Sequence, residues 1–349
     1  MAKISRYPNL DLLRALAVAF VVFYHCCNML GVSPWLWKWS EIVGVSGIDL
    51  FCVLSGFLIG SLYWHEQKKY GDVQIWRFIG RRGYRTIPIY YIFVFIAYLG
   101  VYFIRGEKFS WQHLVFLQNY QESISFYAIS WSLCVEEHFY LVMPFLTLLL
   151  LKIPRKISSF LIILLVLTPL FARIFSYPPS TPIAGFGYYF TATHFRYEGL
   201  LIGVVISYII SHKKTFFDFL IPYAYLIYAL TFILVSLFYF IDNTYKYYFS
   251  ITLNSYMYAL SLIVAIRSNP MRIAKSNFVY KVAVSSYSTY LVHSFVLQFY
   301  VYIFEKIGFD FIWLEIPIAF VTSFVVGYAI YNILEKPIIK LRNKHVPAR

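Results

Sequence analysis

The apolar stretches of this chain are broken by a small set of ionisable side chains. They are Asp11, Arg14 and His25 in a first stretch, Asp49 in a second, and Glu136, Glu137 and His138 in a later one, followed by Arg196 with Glu198, His293 and Glu335. A charge near the centre of a bilayer costs about 2.5 to 3.5 kcal/mol on insertion scales, so each of these groups requires a partner or a task. At about 100° per residue, the step from Arg14 to His25 returns to within roughly 20° of the same helix face. Asp11 precedes Arg14 by one short turn and shares that face. A single stripe therefore carries a carboxylate, a guanidinium and an imidazole, with His25 about 16 Å further along the helix than Arg14. His25 is the candidate base. The bland alternative is an Asp11–Arg14 structural pair and a histidine bonded to a neighbouring helix.

Other residues suit the handling of anions and protons. Arg77, Arg81, Arg82 and Arg85 recur at three- and four-residue steps, so a helix there presents a basic stripe. The guanidinium fork matches phosphate oxygens, although attraction to anionic headgroups explains part of such a stripe. Ser55 precedes Gly56 in a run also containing Gly44 and Gly47; small residues in membranes usually serve close helix packing, and no nucleophile elbow surrounds this serine. Glu136 and Glu137 are adjacent and point about 100° apart, so one of them can face a given cavity and orient an imidazole or receive a hydroxyl proton. Arg196 and Glu198, close to His194, suit a local ion pair. His293 reads as a bonded packing residue or a second base. There is no H-E-x-x-H, no paired C-x-x-C and no Walker A loop, which disfavours a metal and nucleotide hydrolysis.

The elements that position these residues follow from composition. Of the 349 residues 60% are hydrophobic and 13% charged, and the mean hydropathy is +0.65. That excludes one compact soluble domain, a disordered chain and a disulfide scaffold, because too little polar material remains to clothe a water-facing surface. Cys26, Cys27, Cys52 and Cys134 all lie in apolar runs and read as small core residues. Runs long enough to cross about 30 Å of hydrocarbon are expected near 10–30, 43–63, 86–104, 131–151, 157–175, 195–211, 219–240, 249–266, 283–304 and 312–334. The first follows Lys3 and Arg6 but lacks a cleavage site and is expected to stay as a signal anchor. With the amino terminus inside, the external segments hold only Lys38, Arg105, Lys108, Arg173, Lys246 and Lys306 among 30 Lys and Arg. This asymmetry fits an all-α integral membrane protein of about ten helices with both termini cytoplasmic. The formal charge of +14 thus belongs to topology, and the 33 Tyr and 34 Phe to interfacial belts and packing; nucleic acid is not an expected partner. No internal repeat or linker divides the chain, so residues 1–349 are expected to form one membrane domain.

At these residues the chain resembles the membrane-bound acyltransferase family 3, which includes O-acetyltransferases acting on bacterial surface polysaccharides. The resemblance rests on Leu10-Asp11-Leu12-Leu13-Arg14-Ala15-Leu16-Ala17 with His25, on Gly47-Ile48-Asp49-Leu50-Phe51 through Ser55-Gly56-Phe57-Leu58, and on Arg82-Gly83-Tyr84-Arg85. It continues through Trp131-Ser132-Leu133 with Glu136 and Phe139-Tyr140, Arg196-Tyr197-Glu198-Gly199-Leu200, Tyr287-Ser288-Thr289-Tyr290-Leu291-Val292-His293 and Glu335-Lys336-Pro337. Cys52 stands where a second aromatic is usual, and Glu198 where Asp is frequent. The resemblance implies a multi-pass protein of a bacterial cytoplasmic (inner) membrane. It would move an acyl group, with acetyl favoured, from cytoplasmic acetyl-CoA to a carbohydrate hydroxyl such as that of lipopolysaccharide O-antigen. Arg14, Arg82, Arg85 and Ser55 would bind the donor. His25 would act as general base or acyl carrier, with Asp11, Arg14, Asp49 and Glu136 completing the catalytic set. No metal is expected. Some relatives carry a further periplasmic hydrolase-like domain, whose step another protein would supply here. The competing readings are a polysaccharide transporter or flippase and a nonenzymatic partner in polysaccharide assembly.

Overall fold

The computed structural model describes residues 7–176, 187–213 and 243–347, together with Leu226, Ala229, Leu230 and Ile233. Among these residues the chain is all-helical, as continuous apolar sequence in a medium without water requires: each backbone polar group must find its partner within its own segment. The helices are α1 (Pro8–Leu30), α2 (Pro34–Tyr70), α3 (Ile75–Arg105), α4 (Trp131–Lys152), α5 (Arg155–Ser176), the single turn α6 (Tyr188–Thr191), α7 (Glu198–His212), α8 (Asn243–Arg267), α9 (Asn277–Val284), α10 (Ser286–Ile307), α11 (Ile312–Ile330) and α12 (Lys336–His345). Seven described helical stretches are long and apolar enough to cross a membrane. The expected runs coincide with described helices except 219–240, which falls outside the described residues save for the four isolated ones. Two runs differ in kind: α7 has only 15 residues, and α10 has 22 but is diluted by Ser286, Ser288, Thr289 and His293.

The contacts divide the chain into two compact units, Met1–Phe51 with Ala265–Ala348 and Cys52–Val264. In the first, α1 packs on α9, α10 and α11 around Val18, Val22, Cys26, Cys27, Leu297, Ile316 and Ala319. Gly31, at φ 75°, ends α1 by donating its N–H to the Cys27 carbonyl, a left-handed turn that glycine adopts without a Cβ penalty. The Asn9 amide donates to the carbonyls of Ala265 (3.0 Å) and Ser268 (3.2 Å), and its oxygen accepts from the Met271 N–H (3.1 Å). A helix end that would otherwise leave carbonyls unpaired is satisfied in this way. Between α11 and α12 the backbone opens into a π turn, Tyr331–Glu335; Pro337 has no N–H to offer the carbonyl four residues back, and the preceding turn widens.

In the second unit, α2 and α7 cross at Gly56 and Gly203. A Cβ on Gly203 would collide with the backbone of Val53, Gly56 and Phe57, and one on Gly56 with that of Leu200. The glycines of the second run thus serve close helix approach. Deeper in the unit, Arg173 is fully buried. It donates to both oxygens of Glu198 (3.0 and 3.3 Å), to Thr252 Oγ1 (2.6 Å) and to the carbonyls of Tyr248 (3.1 Å) and Phe195. The sequence suggests Arg173 as an external cation and a local pair of Arg196 with Glu198; the structure adds Arg173 as a partner of Glu198, shielded from solvent and tying α5 to α7 and α8.

Removing one partner of such a pair strands the other charge, so Arg173→Ala is expected to destabilise the protein by about 3 to 5 kcal/mol. Thermal unfolding of the detergent-solubilised chain measures it, and the double variant R173M/E198Q should recover much of the loss.

Candidate functional site

The first unit holds Asp11, Arg14, His25 and Asp49. α1 is unbroken from Pro8 to Leu30, so the stripe read from sequence exists: Asp11 and Arg14 are half-buried, while His25 is 8% exposed and Asp49 3%. The His25 ring lies 5.0 Å from the Tyr24 ring and 5.1 Å from that of His293, tilted by 47° to the latter. His293 is wholly buried. Its Nδ1 sits 2.6 Å from the Tyr290 carbonyl oxygen. A carbonyl only accepts, so Nδ1 carries a proton, and a neutral ring would keep its lone pair on Nε2. That nitrogen has no hydrogen-bond partner. Sequence alone could not bring the two histidines together. Near them, Ser288 donates to the buried Glu335 (2.7 Å), which joins α10 to the π turn.

The second unit holds Ser55, Arg82, Arg85 and Glu136. Glu136 accepts from Tyr140 Oη (2.5 Å) and Ser55 Oγ (3.3 Å), and Glu137 accepts from Thr86 Oγ1 (2.6 Å). The two neighbouring carboxylates therefore have separate partners, as their divergence on the helix requires. The Arg82 guanidinium lies 5.2 Å over the Tyr140 ring, a favourable approach of a cation to a negative aromatic face. Arg77 pairs with Glu66, which separates it from its neighbours Arg82 and Arg85. Tyr140 and Thr86 were missed from sequence. Tyr140 was findable, because it follows Glu136 by four residues and shares its face; Ser55 and Glu136 lie 81 residues apart and gave no such signal. Arg196, set beside Glu198 in the sequence reading, stands over the rings of Trp131 (5.0 Å) and Phe190 (4.8 Å). Among the described residues no three His, Cys, Asp or Glu gather as metal ligands do, and the four cysteines are buried and form no disulfide.

A pair of imidazoles buried in apolar helices, and an arginine beside carboxylates held by hydroxyls, provide the parts for proton transfer and anion binding. The family model described as "Acyltransferase domain", acyltransferase family 3, matches residues 7–332, and the chain belongs to that family. Among similar proteins, the peptidoglycan O-acetyltransferase OatA of Listeria monocytogenes is 29% identical over 235 residues, which is 60% of this chain and 36% of that protein. The O-acetyltransferase OatA of Staphylococcus aureus is 28% identical over 222 residues, 58% of this chain and 34% of its own length. The matched region is thus about a third of these curated relatives.

The Tyr140 bond to Glu136 is short and the Ser55 bond long, so the two donors should weigh differently. Tyr140→Phe is expected to lower stability by about 1 to 3 kcal/mol through the stranded acceptor, and Ser55→Ala by clearly less. Denaturation midpoints of the two variants compare them directly.

Proposed function

We propose that this chain is a multi-pass O-acyltransferase of a bacterial cytoplasmic membrane, with ten spans, both termini inside and residues 1–349 acting as one membrane domain. It takes an acyl group, acetyl by preference, from cytoplasmic acetyl-CoA and places it on a hydroxyl of a cell-surface polysaccharide such as O-antigen. Family membership supports acyl transfer. The similar proteins named O-acetyltransferases support oxygen as the accepting atom. The observation that carries the reading is the buried His25–His293 pair, two imidazoles with ring centroids 5.1 Å apart and the Nδ1 of His293 bonded to a backbone carbonyl.

In this reading CoA keeps its phosphates at the cytoplasmic surface, bound by Arg82, Arg85 and Arg14 through charge-assisted hydrogen bonds. Asp11, one turn before Arg14, orients that guanidinium. Ser55 lines the donor region and anchors Glu136. The pantetheine arm, which is uncharged, delivers the thioester to His25. Neutral His25 takes the proton of the acceptor hydroxyl as its oxygen attacks the thioester carbonyl. The C–S bond breaks, and the leaving thiolate takes up a proton. In the two-step variant His25 attacks first, and the hydroxyl then removes the acyl group from the imidazole. A carboxylate, Asp49 or Glu136, supplies negative charge that stabilises the imidazolium, which apolar surroundings would otherwise disfavour.

His25→Ala should abolish ester formation from labelled acetyl-CoA in nanodiscs while CoA still binds; undiminished transfer removes the base assignment. Arg85→Ala should raise the KM for acetyl-CoA by about ten- to a hundredfold, the worth of one hydrogen bond to a charged group. An unchanged KM would reduce that arginine to a determinant of topology.

A further inference from the structure

The segment between α3 and α4 carries an organised surface that the sequence reading passed over. It consists of short turns, Trp111–Leu114, Gln118–Tyr120 and Ala128–Ser130. Irregular backbone of this kind is not found facing lipid, so the segment belongs to the aqueous surface or to protein. Phe116 (φ 59°) and Phe126 (φ 27°) both hold positive φ, a costly conformation for bulky residues that persists where surroundings enforce it. The buried atoms His113 Nε2, Gln118 Oε1, Asn119 Oδ1, Gln121 Oε1 and Ser125 Oγ have no hydrogen-bond partner.

Tyr120 of this segment is gathered with three further rings. Tyr120 stacks on His194 at 5.9 Å and 23°, and lies 6.2 Å from Tyr188 and 6.1 Å from His138. Tyr188 is 5.8 Å from His194. Buried bonds hold the set in place: Asn119 Nδ2 donates to the Thr191 carbonyl (3.1 Å) and to Thr193 Oγ1 (2.9 Å), Thr191 Oγ1 donates to the Asn119 carbonyl (2.8 Å), and His138 Nδ1 meets Thr193 Oγ1 (2.7 Å). The rings are nevertheless open to a ligand, with Tyr120 39% exposed and the other three partly so. Neither the tyrosine hydroxyls nor the His194 nitrogens have a hydrogen-bond partner among the described residues.

We infer that Tyr120, Tyr188, His138 and His194 form a stacking platform for a sugar ring of the acceptor. A pyranose combines an apolar C–H face with a rim of hydroxyls, and this surface combines ring faces with unpaired polar edges. Among the described residues none of the ring contacts is to Lys or Arg, so the patch lacks the guanidinium or ammonium group that favours a phosphate. A lipid chain would leave the polar edges unsatisfied. The orientation agrees: α4 ends at Lys152, followed by Arg155 and Lys156, which assigns that end to the cytoplasm and the Trp131 end, with the platform, to the opposite side. With their backbone tied by the Asn119, Thr191 and Thr193 bonds and their faces packed on one another, the rings lose little freedom on binding. The inference rests on the carbohydrate acceptor proposed above and adds where that acceptor is held.

The test uses the full chain in nanodiscs and oligosaccharides released from de-esterified bacterial surface glycan, with binding read by saturation-transfer NMR and ester formation by labelled acetyl-CoA. Tyr120→Ala and His194→Ala should each raise the glycan KM by about tenfold, the scale of one aromatic stacking contact, and leave the KM for acetyl-CoA unchanged. Tyr120→Phe should retain the glycan KM, and Tyr120→Leu should not. Binding that is lost in Tyr120→Ala supports the platform even if no ester forms, in which case the transfer reading alone fails. Ester formed by the wild type with an unaltered glycan KM in Tyr120→Ala and His194→Ala overturns the platform and leaves the transfer reading standing. Neither ester nor binding overturns both.

Discussion

Inside a bilayer no water is at hand to complete a hydrogen bond, so a polar side chain must be satisfied by the protein or left costly. The described structure is organised around that constraint. Arg173 spends its donors on Glu198, Thr252 and two backbone carbonyls, Glu335 is held by Ser288, and Asn9 closes a helix end. Each such bond joins helices that apolar packing alone would leave free to slide, since lipid tails are as apolar as the helices they surround. The same constraint makes the exceptions informative. Where a buried nitrogen such as His293 Nε2 is left without a partner, the fold retains an unsatisfied group that packing could have removed with a leucine.

Close packing supplies the rigidity. Gly203 against the backbone of α2, and Gly327 against Thr289, let helices approach to distances that a single methyl would forbid. Positions near these crossings inherit that precision. Ser55 sits one residue before Gly56, so the crossing of α2 with α7 also fixes the hydroxyl that reaches Glu136.

Local periodicity made part of this legible in the sequence. The face shared by Arg14 and His25 needs only the helix repeat, and α1 follows it. The runs themselves were visible because apolar length reports directly on the crossing of hydrocarbon. What stayed hidden depended on distant partners. Arg173 looks like an external cation until Glu198 and Thr252 are brought to it from α7 and α8. His293 lies 268 positions after His25 with no shared helix face to relate them, and the packing of α1 on α10 joins them. The segment from 106 to 130 carries neither a helical nor an alternating pattern, and its order comes from side-chain bonds to residues about 70 positions later. Boundaries failed for a different reason: apolar length cannot register the missing N–H of Pro337, which turns the expected 312–334 run into a helix, a π turn and a further helix.

On the proposed reading, charge decides which part of the donor crosses the membrane. CoA phosphates held by guanidinium groups would lose both water and partner on entering hydrocarbon, a cost of several kcal/mol for each ion. An acetyl thioester carries no net charge and meets no such barrier. The base that receives it must then work without bulk water, and a neutral imidazole can do so because it enters the reaction uncharged and becomes cationic only as the transition state develops. A carboxylate base would start charged and require continuous pairing, as Glu136 does with Tyr140 and Ser55. Histidine on α1 and carboxylate on α4 thus suit different tasks by their charge alone. The bond made by His293 belongs with the first: its Nδ1 proton is committed to the Tyr290 carbonyl, so a neutral His293 adds no competing donor at Nε2 beside the His25 ring.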